Sequence, residues 1–104
     1  MLEYWQNFLE LDHWKIRLIS IDPDQVTYDS DVPEEDRYFI GIKRDYDTFT
    51  ADLYYDRELK DEDVIHELLH IRFPNWSEEE INDITKIIIK YDRRSTTQDI
   101  INSN

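Results

Sequence analysis

The 104-residue chain contains no cysteine, one glycine, three prolines and one methionine. Without cysteine there is no disulfide framework, no thiol nucleophile and no thiolate metal site, so any metal must be held by His, Asp or Glu. Long apolar runs are also missing. The stretch around Ile87, Ile88 and Ile89 falls far short of the ~20 residues that span a bilayer, so no membrane partner is expected. Basic residues are scarce, 12 Lys plus Arg against 25 Asp plus Glu, for a formal charge of −13. That excess repels phosphate backbones and argues against nucleic acid as a partner. A bound cation fits better, as do substrates bearing Lys or Arg. Residues 1–11 carry Glu3 and Glu10 and no basic region, unlike a secretory signal, so a cytoplasmic protein is expected.

Enough apolar and aromatic residues are present, 39% and 13%, to build a core despite the charge. Length predicts one small domain over residues 1–94, followed by a polar tail over residues 95–104. The acid is concentrated: residues 22–63 hold 15 Asp or Glu against 5 Lys or Arg. Most of these acids suit Asp-rich turns, because Asp hydrogen-bonds its own backbone there.

Leu2, Trp5, Phe8, Leu9 and Leu11 recur at helical spacing and predict an amphipathic helix over residues 1–11. Near-alternation over residues 14–21 predicts a strand, and Asp22-Pro23-Asp24 a turn. Residues 37–43 and 48–56 alternate as the two strands of a hairpin. Gly41, inside the first of these, marks a bulge or a close backbone approach. The period then lengthens. Asp61, Glu62 and Asp63 open a helical run through Val64, Ile65, Leu68, Leu69 and Ile71 that Pro74 ends. Ser77 and Glu80 form a capping box that opens a last helix through Ile81, Ile84, Ile87, Ile88 and Tyr91. The order helix, three strands, helix, helix predicts an α+β fold with a small mixed or antiparallel sheet covered by helices.

Two of the three histidines flank a glutamate in His66-Glu67-Leu68-Leu69-His70. Residues four apart share a helix face, so both imidazoles can reach one zinc ion. Glu67 lies about 100° around the helix, placed to act as general base on a water at the site rather than as a ligand. This is the H-E-x-x-H pattern of zinc peptidases, and chance placement of these residues would produce it on the order of once in a hundred such chains. The helix is apolar nearly all round, so two histidines and a glutamate in it require partners, and one cation serves all three. For a third ligand, Glu79 ranks ahead of Glu80, which the capping box uses, and of Glu78, at the very start of the helix. Asp83, one turn beyond Glu79, would then accept a hydrogen bond from the second ring nitrogen of His66.

The pattern His66-Glu67-x-x-His70 followed by Glu79-x-x-x-Asp83 resembles the gluzincins, the thermolysin-like zinc peptidases, and the short chain and its element order are similar to the minigluzincins. The resemblance implies zinc-dependent hydrolysis of a peptide or protein substrate, with a glutamate on a following helix as third ligand. It also implies latency through a C-terminal segment. Here Asp99 or the terminal carboxylate would occupy the open metal position while Ile100 and Ile101 fill an apolar subsite. Two departures stand out: only eight residues separate His70 from Glu79, and no oxyanion-stabilising residue is obvious among Tyr54, Tyr55, Tyr91 and His13. Two rival readings are a non-proteolytic zinc-binding module of regulatory or toxin-related type, and an acidic interaction protein without metal.

Overall fold

Three tryptophans, the apolar helix and a run of β-branched residues have to share one small core. In the computed structural model, which describes residues 1–22 and 40–92, they do so around the helix that carries His66 and His70. The elements are α1 (Leu2–Phe8), β1 (Lys15–Ser20), β2 (Ile40–Asp45), β3 (Thr50–Tyr55), α2 (Asp61–Arg72) and α3 (Glu78–Tyr91). The order is the expected one, and the fold is α+β. The tail with Asp99, Ile100 and Ile101 lies outside the described residues.

α1 is shorter than its periodicity suggests. Glu10 adopts a left-handed φ of 60°, and the Glu10 and Leu11 N–H groups donate to the Asn7 and Gln6 carbonyls at 3.1 and 2.7 Å. This is a Schellman closure with glutamate in the position glycine usually takes. Leu9 and Leu11 are buried in the turn rather than on the helix. The Gln6 side chain holds the turn by donating to the Leu11 and Trp14 carbonyls.

The sheet has the order β1-β3-β2, with β1 parallel and β2 antiparallel to β3. It is therefore mixed. Pairing is unbroken from Ile40 opposite Tyr55 to Asp45 opposite Thr50, and Gly41 sits squarely opposite Tyr54. Of the two meanings expected for Gly41, a bulge or a close backbone approach, the bulge is absent, and its φ is not positive. Alternation sends Ile16, Ile42, Ala51 and Leu53 to one face, against the helices. The other face carries Lys15, Lys43 and the in-register pair Arg17 and Asp52, joined by two hydrogen bonds of 2.8 and 3.0 Å.

α2 is the centre of the domain. Val64, Ile65, Leu68, Leu69 and Ile71 are each at most 2% exposed, and the helix packs against α1, α3 and β2. Trp5, fully buried, donates its indole N–H to Asp61 at 2.9 Å and fixes α1 on the first turn of α2. Tyr4 donates to the buried Asp92 carboxylate at 2.8 Å and joins α1 to the far end of α3. No helix among the described residues is long and apolar enough to cross a membrane.

Candidate metal centre

The start of α2 is fixed by Asp63, whose carboxylate accepts the Lys60 N–H at 2.9 Å and a guanidinium N–H of Arg57 at 3.0 Å. From that start, His66 and His70 fall one turn apart on a half-buried face. Their rings meet edge-on with centroids 4.9 Å apart and their Nε2 atoms 3.2 Å apart.

The third member comes from α3. After α2 the chain reverses within residues 73–77, where the Phe73 and Trp76 rings stack at 4.0 Å and the Trp76 N–H donates to the Phe73 carbonyl. Ser77 then caps α3 by accepting the Glu80 N–H, and the Glu80 carboxylate accepts the Ser77 N–H in return. The expected capping box is present, and it sets Glu78 as the first helical residue. Glu78 faces α2: one carboxylate oxygen is 2.7 Å from His70 Nε2 and the other 3.2 Å from His66 Nε2.

The structure thus gathers His66, His70 and Glu78 rather than Glu79. The reason is helical phase. At about 100° per residue, Glu78 lies within about 60° of the buried Ile81 and about 20° of the buried Thr85, on the stripe that packs against α2. Glu79 is rotated about 100° from Glu78 and Asp83 about 140°, so both point away from it. Both are exposed, and Asp83 lines a separate hollow with Trp76, Glu80 and Ile84. The residue one turn beyond Glu78 is Asn82, and it lines the same cleft as His66.

The donor set fits a zinc-sized ion. Bonds of about 2.0–2.1 Å at tetrahedral angles separate adjacent ligand atoms by about 3.3 Å. The separations of 3.2, 3.2 and 2.7 Å approach that value, and three protein donors leave one position open. A carboxylate on the first turn of a helix is also favoured by the helix dipole.

Glu67 is 7% exposed and accepts no hydrogen bond from the described residues. It lines a cleft of about 370 Å³ together with His66, Asn82, Thr85, Ile40 and Arg57. Burial pushes its carboxyl up to about 7, with help from the negative charges of Glu78 and Asp63; Arg44 opposes the shift. A dication held by the neighbouring histidines would pull it back down. Burial lowers the His70 imidazole and favours its neutral, ligating form, against the raising effect of Glu78.

None of the four residues considered for oxyanion stabilisation lines this cleft. His13 packs against Phe49 and Trp14, and Tyr91 is exposed at the end of α3 beneath Lys90. Tyr54, opposite Gly41, belongs to the sheet face away from the helices, and Tyr55 pairs with Ile40 on the near face. Arg44 carries no functional signal in the sequence. It shares the helix-covered face with Ile40 and Ile42, and its charge acts on both Glu67 and His70.

A scan against protein-family models, a search of curated proteins and a search of solved structures each find no match to this chain.

Proposed function

We propose that the chain is a zinc-dependent peptide hydrolase. The observation that carries the reading is the convergence of His66, His70 and Glu78 on one point, beside a buried carboxylate that faces the same cleft. Zinc, when bound, supplies Lewis acidity to polarise a carbonyl and ease deprotonation of water. The chain's own residues do the rest. Glu67 takes the proton of the attacking water as it adds to the peptide carbonyl, and returns that proton to the departing amine nitrogen as the C–N bond breaks.

The sheet supports a peptide as substrate. β2 pairs only with β3 among the described strands and lies along α2, so its free edge can hold an extended chain by main-chain hydrogen bonds. Metal analysis of the purified chain tests the reading, with a peptide-cleavage assay of the zinc-loaded protein and its Glu67→Gln and His66→Ala variants. One zinc per chain is expected, absent in His66→Ala, together with cleavage that falls at least about a hundredfold in Glu67→Gln. Zinc without cleavage supports the non-proteolytic module instead; cleavage indifferent to Glu67→Gln removes Glu67 as the general base; absence of metal supports the interaction protein.

A further inference from the structure

An acidic chain is expected to prefer cationic substrates, yet the one charged residue on the helix-facing side of the free sheet edge is basic. In β2 the near face carries Ile40, Ile42 and Arg44, in register with Tyr55, Leu53 and Ala51. Ile40 opens into the cleft beside Glu67. Arg44 lies four residues further along, a distance of about 13 Å. Just past it, the Tyr46 hydroxyl donates to the Ile71 carbonyl at 2.8 Å and reaches the His70 carbonyl at 3.4 Å, which ties this end of β2 to the metal-binding turn of α2. The Arg44 guanidinium sits 6.0 Å from the centre of the Tyr46 ring. Ile40, in the Glu67 cleft, and Arg44, whose charge acts on Glu67 and His70, thus stand on the same face of this free edge, where an added strand would run past both.

We propose that Arg44 is a specificity residue that binds a carboxylate of the peptide substrate, and so gives the site a preference for carboxylate-bearing peptides opposite to that of the chain's net charge. This rests on the hydrolase reading above. Arg44 is exposed, unlike Glu67, and a solvated guanidinium at the end of the strand suits a charged group of the substrate better than a developing oxyanion, which needs fixed donors in a dry site. Its planar fork matches a carboxylate with two parallel hydrogen bonds. Two sources share this chemistry: the free C-terminus of a peptide, and an Asp or Glu side chain within it.

Four peptides of one sequence distinguish them: neutral with a free C-terminal acid, neutral and amidated, amidated with one Glu, and amidated with Gln in its place. Binding is measured by calorimetry on the zinc-loaded Glu67→Gln variant, and cleavage on the zinc-loaded unaltered chain. At least one carboxylate-bearing peptide is expected to bind about tenfold more tightly than its neutral partner, as a charge-assisted contact at an exposed site predicts. Arg44→Gln in the same background abolishes the difference, and Arg44→Lys restores part of it. A preference for the free acid identifies the C-terminus, and a preference for Glu over Gln the side chain. Equal affinity for all four peptides, or a preference that survives Arg44→Gln, overturns the proposal while leaving zinc binding and cleavage intact. A chain that neither binds zinc nor cleaves any of the peptides fails earlier, and the hydrolase reading falls together with the proposal.

Discussion

Glu67→Gln should stabilise the metal-free protein, and by an amount that grows with pH. The folded chain holds the Glu67 proton with a pKa of about 7, against an ordinary 4.5. Folding therefore favours the protonated form. The stability this group contributes is complete below about pH 4.5 and is lost as pH rises through 7. Relative to a permanently neutral side chain, the carboxyl costs about 3 kcal/mol at pH 8 and about 1 kcal/mol at pH 5. Glutamine has nearly the same shape and no charge, so it removes that cost without opening a cavity. Urea unfolding of the metal-free proteins reads the difference directly. At pH 8 the Glu67→Gln midpoint should exceed that of the unaltered chain by about 1 to 3 M, and at pH 5 by about a third of that. Zinc should reverse the ranking, because a dication beside Glu67 favours the ionised form. Unfolding curves whose separation does not change between pH 5 and pH 8 would refute the buried-carboxylate reasoning, whatever the enzyme assay shows.

The elements and their order were legible in the sequence because each carries a strong local signal: alternation in β1 and β3, apolar periodicity in α2, the Ser77 and Glu80 box opening α3. The errors have local causes too. The apolar rhythm of Leu9 and Leu11 extends the helical pattern through Leu11, yet the helix closes at Phe8. A left-handed Glu10 closes it, and glutamate gives no sign of that conformation. A lone glycine inside a strand suggests a bulge or a close backbone approach, and at Gly41 the pairing shows no bulge. For the third metal-binding candidate, the carboxylate beside the two histidines is Glu78, one residue before the expected Glu79. The phase of α3 was nonetheless available: Ile81, Ile84, Thr85 and Ile88 define a stripe, and projecting the three glutamates onto it selects Glu78 and Asn82 over Glu79 and Asp83. Arg44 had no such signal. Its place near Glu67 and His70 depends on α2 packing along β2 of the β2–β3 hairpin, a tertiary contact that the alternation of the two strands does not encode.

The same helical phase separates neighbouring glutamates in a metal titration: Glu78→Gln should weaken zinc binding at least about tenfold, while Glu79→Gln, pointing away from α2, should leave it within about twofold. Trp5→Phe keeps most of the buried ring but leaves Asp61 without the indole donor, and thermal unfolding should show a loss of about 1–2 kcal/mol with zinc affinity unchanged. Ser77→Ala probes how Glu78, the proposed third ligand, is held. Removing the hydroxyl that accepts the Glu80 N–H costs about 1 kcal/mol of cap energy, a stability effect that calorimetry reads in the metal-free chain. Because Glu78 is the first residue after that cap, a frayed first turn must also be re-ordered before its carboxylate can meet His66 and His70. Zinc affinity should therefore fall by up to about tenfold, the equivalent of the same free energy, and Ser77→Asp, which restores an accepting cap, should recover it. If Ser77→Ala lowers stability and leaves zinc affinity unchanged, Glu78 is positioned by its contacts with α2 rather than by the start of α3.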